Sequence, residues 1–483
     1  MKKLYYYLFL LTILAFSCTK DHMFNNDQGI DQQLNNTFVI SSGSVIKVFP
    51  NGTDDTKAIL DAFHKAKVAG PGSVVQLAAG TFKIGFIEVW DFEGYFRGAG
   101  KGKTIITNVP DLPQGEVLLN TSKYSALLKF VGGNLSMTNM TIHMNDGIAV
   151  ASPDPVGDLY CILFLADASV DHIPPIRYIK AAVDNVDFIA GYDGGQAGFS
   201  PFGGTTMYNV WSSIMVAADD QYSLFPPMGN ISITHCKMEN DVFGTWIWGF
   251  DKEAAAKIEN NLFTGGAMQI LMASCMGSDI KIRNNLFQKG SVYDLYIDNY
   301  NWLFTPEGSM TQSSHYSITG NNFQSPQGVI SLGMNDARRP LFPNEGFPQL
   351  FDVMGNNFNT RDGGMAIQSL NNVGAKIWNN IFSGTGAMGV SIDGDATTGT
   401  YAENINLIGN SFIAATYADA GIYLGPYSRN CKVVGVNADR VVDNGVNNSI
   451  IGVRPHKGFE HSGQNHDFDF NSIHEKLKRI GKH

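Results

Sequence analysis

Between residues 257 and 412 one line is written six times: KIENNLF, KIRNNLF, SITGNNF, DVMGNNF, KIWNNIF and NLIGNSF. The closing phenylalanines, Phe263, Phe287, Phe323, Phe358, Phe382 and Phe412, stand 24, 36, 35, 24 and 30 residues apart, so the minimum repeat is 24. An asparagine precedes each by two places: Asn261, Asn285, Asn321, Asn356, Asn380 and Asn410. A period of this length requires a stacked solenoid, because one repeat alone cannot bury its apolar face. Alternating β-branched residues bounded by glycine make the units strands rather than helices. The leucine register of a leucine-rich repeat is absent. The expected architecture is therefore all-β: a single-stranded right-handed parallel β-helix, or β-solenoid, with coils at roughly 4.8 Å.

In that geometry KIRN is a strand, Asn285 occupies a tight αL-tolerant turn and Phe287 points inward. The asparagines are expected to form a coil-to-coil amide ladder and the phenylalanines a stack, which assigns both to scaffold. Spacings beyond 24 must leave as surface loops. Two such insertions are Asn301 to His315 and Asn335 to Gln349.

The segment NGTDDTKAILDAFHKAKVAGPGSVVQLAAGTFKI, residues 51 to 84, resembles the entry segment of the pectate-lyase-like β-helix superfamily. The resemblance extends over residues 37 to 455 and implies an N-terminal capping helix, started by Asp54, Asp55 or Thr56 and running through Lys67, over the open first coil. YFRGAGKGKTIIT, residues 95 to 107, looks like that superfamily's first full coil. Its glycines lack the strand and helix context of a phosphate loop.

At the N-terminus, MKKLYYYLFLLTILAFSC joins two lysines to a short apolar run and small residues, the pattern of an export signal too short for a permanent membrane span. LAFSC resembles a bacterial lipobox, which implies lipidation at Cys18, with an ordinary signal peptide cleaved nearby as the alternative; the TKD that opens the following segment resembles the surface-export tethers of lipoproteins from Bacteroides-like bacteria, which implies an outer-membrane or cell-surface location. A periplasmic location is the second choice. Residues 1 to 18 read as signal peptide, 19 to 36 as polar tether, 37 to 455 as the β-helix and 456 to 483 as a tail able to form a capping helix. Net charge of -10 without a sustained internal basic run argues against a nucleic-acid partner and limits membrane contact to the anchor. The chain is expected to be a monomer. Cys161, Cys236, Cys275 and Cys431 are widely spaced and read as small buried hydrophobes, with no metal site built on them and no cofactor motif evident.

In the resembled superfamily, substrates lie along the face made by the first strand of each coil and the loops that follow. Alternation sends Ile270, Ile297, Leu332, Ile392 and Leu424 inward and Gln269, Tyr296, Asp298, Ser331, Gln368, Ser391, Asp393 and Tyr423 outward. Such a column stacks sugar rings and hydrogen-bonds hydroxyls, so Gln269, Tyr296, Gln368, Asp393, Tyr423, Trp302 and Arg339 are the candidate binders of a polysaccharide or oligosaccharide. Trp246 and Trp248 should share one side, opposite Ile247. Asp219, Asp220, Asp251, Asp298 and Asp336 form an acidic line for general acid and base work. Carboxylates one or two coils apart fall near the separations of retaining and inverting glycosidases. His315 is the candidate catalytic histidine, and His235 reads as a packed or turn histidine.

Of the polygalacturonase-like motifs only Asp219-Asp220 has a match. RRPLFP, residues 338 to 343, resembles the arginine loop of pectate lyases, which implies Arg338 as a catalytic base and Ca2+ as cofactor if the chain is a lyase. The reading is an exported polysaccharide hydrolase or lyase. Two alternatives stand beside it: a non-catalytic glycan-binding or adhesion protein, and a structural surface spike.

Overall fold

The computed structural model describes residues 43 to 453 apart from loop segments, of which the longest are 145 to 157, 191 to 210, 299 to 313 and 334 to 349. Residues 1 to 42, with Cys18, and residues 454 to 483, on which the expected signal peptide, tether and tail fall, lie outside the described residues. Among the described residues thirty-two strands join one continuous sheet in which all but one of the strand pairings are parallel, with one two-stranded sheet beside it. This is the expected right-handed parallel β-helix.

Each regular coil has three strands. The flank face runs through Ala255–Glu259, Asp279–Arg283, His315–Thr319 and Leu350–Met354. After the asparagine turn comes the short face, through Leu262–Thr264, Leu286–Gln288 and Asn322–Phe323. The front face follows, through Trp211–Asp219, Phe243–Trp248, Met268–Ala273, Tyr293–Asp298, Ile330–Gly333 and Met365–Leu370. Every strand pairs with its counterpart one coil on, so a residue type repeated in sequence becomes a column along the axis.

Two columns fix the interior. Phe263, Phe287, Phe323, Phe358, Phe382 and Phe412 stack with ring centroids 4.7 to 4.9 Å apart and planes within 14°. The six ladder asparagines are buried. Each side-chain oxygen from Asn285 to Asn410 accepts both the backbone N–H and the amide N–H of the asparagine one coil before it, at 2.9 to 3.0 Å. The remaining amide proton of each goes to a flank-strand carbonyl, as from Asn321 to Ile282 at 2.8 Å. The αL residue is not the ladder asparagine, as expected from sequence, but the one before it: His235, Asn260, Asn284, Gly320, Gly355, Asn379 and Gly409 have φ of 53 to 65°. The ladder residue must keep extended geometry to aim its amide along the bore, so the turn falls to its neighbour. His235 is thus a turn histidine, and Cys236 stands at the ladder position of its coil, its N–H donating to Asn261 Oδ1 at 2.9 Å. Cys161, Cys236 and Cys431 are buried free thiols, and burial pushes Cys236 up to about 12.

The N-terminal end is closed by α1, Thr56–Ala69, which runs two residues beyond the expected Lys67. Its buried Ile59, Ala62, Phe63 and Ala66 repeat at helical spacing, and Phe63 packs at 5.0 Å on both Phe92 and Phe96. Asp55 is the N-cap by position, yet its carboxylate serves the N–H groups of Asn51 and Lys83 and ties the helix to the first coils. Asp54 receives the Thr56 N–H at 2.9 Å.

Candidate functional site

On the front face, Ile270, Ile297, Leu332, Ile392 and Leu424 belong to the core, as alternation requires. Between the inward positions runs an outward column whose members pair coil to coil. Its N-terminal half is apolar: Leu163 pairs with Met215 and Met215 with Trp246. There Ala126, Val131, Tyr160, Leu163, Leu165, Met215 and Ala217 form a second buried cluster against which Trp90 and Trp246 pack. Ile247 points into the core and Trp246 away from it; the side chain of Trp248 lies outside the described residues.

The C-terminal half is polar. Tyr296 pairs with Ser331, Ser331 with Gln368, Gln368 with Ser391 and Ser391 with Tyr423. One group per coil spaces these five over about 19 Å. Facing away from the core does not make them all exposed: Tyr296, Ser331 and Ser391 are buried, whereas Gln368 and Tyr423 are half-buried. Among the described residues the hydroxyls of Ser331 and Ser391 have no hydrogen-bond partner. Both are closed to solvent, so the groups of this column that a ligand can reach are Gln368 and Tyr423.

Asp393 ends this strand region beside Ser391 and is 7 % exposed. Its Oδ1 accepts the N–H groups of Gly394 at 2.8 Å and Tyr427 at 2.9 Å. Burial raises its pKa, and those two amide contacts oppose the rise. Gly425 makes room for it: a Cβ there would lie 2.1 Å from the Asp393 carboxyl carbon. The Tyr423 hydroxyl is also raised, chiefly by burial.

Gln269 is not in the outward column. It is fully buried and faces the bore, donating to the Gln288 carbonyl at 2.9 Å. The reason is local: where the chain turns into the front face two successive residues point inward, as Leu127 with Leu128 and Cys161 with Ile162 also do, and strict alternation starts one residue later.

The acidic line is only partly placed. Asp298 and Asp393 share one register column, through Gly333 and Leu370, three coils apart. That is about 14 Å of backbone, beyond the roughly 5 to 9.5 Å of a glycosidase carboxylate pair. Asp219, by contrast, pairs directly with Asp167 of the preceding coil, a partner the sequence reading missed because the early coils lack the phenylalanine motif. Backbones one coil apart suit the retaining separation. The side chains of Asp167, Asp219 and Asp298, and all of Asp220, Asp251, Trp302, Asp336, Arg338 and Arg339, lie outside the described residues.

His315 opens its strand on the flank face, away from this column. It sits between Asp279 of the previous coil, Nδ1 to Oδ1 3.3 Å, and Asp352 of the next, Nε2 to Oδ2 3.1 Å. The Asp352 contact is a hydrogen bond; the Asp279 contact has ion-pair distance without hydrogen-bond alignment. The Asp279 and Asp352 carboxylates push His315 up to about 9, and His315 in turn lowers Asp352. A histidine held charged between two carboxylates is a fastener between coils and a poor general base at neutral pH.

A shallow depression of about 580 Å³ lies at the asparagine-turn corner, lined by Lys101, Asp187, His235, Lys237, Asn260 and Asn284. Its chemistry is spent internally: Lys101 meets Asp187 at 2.8 Å and the His235 carbonyl at 2.8 Å, and Lys237 pairs with Glu239. The half-buried Gln368 and Tyr423 of the front column, and not this depression, mark the better site. Among the described residues no cluster of three or more His, Cys, Asp or Glu side chains is placed to hold a metal ion.

No protein-family model matches the chain, and no curated protein sequence matches it. Solved structures similar to it include the A-module of mannuronan C-5 epimerase AlgE6 from Azotobacter vinelandii, at 14% identity and a TM-score of 0.47, covering 85% of this chain and 97% of that one. A mannuronic acid specific polysaccharide family 6 lyase from human gut microbiota has 15% identity and a TM-score of 0.48 over 84% and 82% of the two chains. A family 28 exopolygalacturonase from Yersinia enterocolitica has 13% identity and a TM-score of 0.44 over 87% and 78%. The fold assignment rests on the strand register of this chain itself.

Proposed function

We propose that this chain is an exported carbohydrate-active protein that lays a polysaccharide along the polar half of the front face and cleaves it. The observation that carries the reading is the in-register polar column of the front face, in which Gln368 and Tyr423, two coils apart, are half-buried and open to a ligand. Sugar hydroxyls both donate and accept, so they satisfy both ends of the Gln368 amide, and Tyr423 supplies a ring edge. Asp393, buried and with its pKa raised by that burial, is suited to carrying a proton to a leaving oxygen. Its partner in cleavage belongs to the acidic line, whether as nucleophile, base or calcium ligand. Cys18 would anchor the mature chain, with the polar tether setting the β-helix off the membrane.

Protein beginning at residue 19, given a panel of polysaccharides with and without calcium, should produce new chain ends. Reducing ends accompanied by unsaturated-uronate absorbance identify a lyase, and reducing ends alone a hydrolase. Gln368→Ala and Tyr423→Ala should weaken binding of the active glycan; binding unchanged in both removes this column from the site. A non-catalytic glycan binder is the second reading, favoured by the 14 Å scale separation of Asp298 and Asp393. Saturable binding without new chain ends across the panel would select it.

A further inference from the structure

Behind Tyr296, inside the bore, three coils meet in a closed polar cluster. Gln269 comes from one coil, Gly290 and Asp294 from the next and Ser325 from the third, and all three side chains are at most 1 % exposed. The donors can be followed individually. The Ser325 hydroxyl donates to Asp294 Oδ1 and accepts the Gly290 N–H at 2.8 Å. It also faces Gln269 Nε2 at 3.3 Å, while that amide donates to the Gln288 carbonyl at 2.9 Å. Two oxygens then have no donor among the described residues: Asp294 Oδ2 and Gln269 Oε1. Gly290 is required here, since a Cβ would stand 2.6 Å from Asp294 Oδ1 and 2.7 Å from Gln269 Nε2, which also places both side chains around one point.

Among the described residues no charged group enters the cluster. From the preceding coil comes Gln269, from the following coil Ser325, and from the turn itself Gly290; Lys289, beside it, is exposed. An ionised Asp294 would be an isolated buried charge, which protein interiors do not tolerate without a partner. One proton on Oδ2 removes the charge.

We propose that Asp294 is carried as the neutral acid and that its ionisation is an alkaline release for the coil that bears Tyr293 and Tyr296 on the front face. Burial supports this, pushing the Asp294 carboxyl up to about 7, against the opposing hydrogen bond from Ser325. The sign follows from linkage: a carboxyl raised from 3.8 to about 7 in the folded state gives stability that is complete below 3.8 and lost as pH rises through about 7. The inference does not depend on what the front face binds.

Isotope-edited infrared spectra of aspartate-labelled wild type and Asp294→Asn, recorded at pH 6 and pH 8.5, test it. The wild type should carry a protonated-carboxyl band at pH 6 that the variant lacks and that fades by pH 8.5; no such difference at pH 6 means Asp294 is ionised and overturns the proposal. The Tm of Asp294→Asn relative to wild type should climb between pH 4.5 and 7.5 and then level; a flat difference also overturns it. Should that variant fail to fold, Ser325→Ala serves instead. Loss of its hydroxyl donor should move the pH midpoint of the wild-type Tm curve upward, and an unmoved midpoint refutes the assignment.

Discussion

Asn321 lies in mid-ladder with a neighbour on each side, and Asn321→Ala tests what the ladder contributes. Its Oδ1 takes the Asn285 N–H at 2.9 Å and the Asn285 amide N–H at 3.0 Å. Its own amide gives protons to the Ile282 carbonyl at 2.8 Å and Asn356 Oδ1 at 3.0 Å. After truncation Asn356 Oδ1 still receives the Asn321 backbone N–H, so that acceptor survives. The Asn285 backbone N–H and one of its amide protons do not recover, because both are buried with no other acceptor. At about 1 to 3 kcal/mol for each orphaned donor, the variant should lose about 4 kcal/mol. Urea denaturation followed by circular dichroism reads this, with Asn322→Ala as control, since Asn322 receives only a 3.4 Å bond from Asn357 and should cost below about 1 kcal/mol. If Asn321→Ala matches its control, side-chain stacking alone holds the coils and the donor arithmetic is wrong.

Phe323→Ala removes a ring stacked at 4.7 and 4.9 Å on its two neighbours and should cost about 3 to 5 kcal/mol in the same urea assay, against less than about 1.5 kcal/mol for Ile408→Ala at the exposed surface. His315, raised to about 9, gives stability that is complete below 6.5 and disappears as pH rises through about 9. His315→Gln should therefore lower Tm at pH 7 and be nearly neutral at pH 10.5, with an effect of about 1 kcal/mol or less because the side chain is 43% exposed. An imidazole titrating near 6.5 by NMR would refute the assignment. Gly425→Ala should expel the Asp393 carboxyl and, on the proposed reading, abolish glycan turnover with much less effect on far-ultraviolet circular dichroism; retained turnover removes Asp393 from the chemistry.

The fold was legible because its chemistry is periodic. Asn285 and Phe287 recur at positions that only a stacked coil brings together, so two columns and the period could be read from one line repeated. What alternation could not give was where each front strand begins: Gln269 turned inward because two residues in succession face the bore at the corner. Nor could it separate the αL residue from the ladder residue, since both are asparagine in four-letter runs such as RNNL. The candidate site was legible as a face more than as a set of residues. His315 finds Asp279 and Asp352 36 and 37 residues away on either side, distances set by insertions whose lengths carry no period. Asp167 meets Asp219 across 52 residues in coils without the phenylalanine motif. Asp294 looked like any polar residue of a strand, and only its enclosure by Gln269 and Ser325 distinguishes it.

The paired columns also make the molecule a ruler. Because each of these coils offers its neighbours the same amide and the same ring, a 24-residue segment such as residues 357 to 380, which carries the front strand Met365–Leu370, can be removed or duplicated and like still meets like. Length then changes only in whole steps of about 4.8 Å. Groups on the front face inherit that graduation, so the reach between Tyr296 and Tyr423 is counted in coils, and a gain or loss of one repeat would retune the polymer length they span without disturbing any contact within a coil.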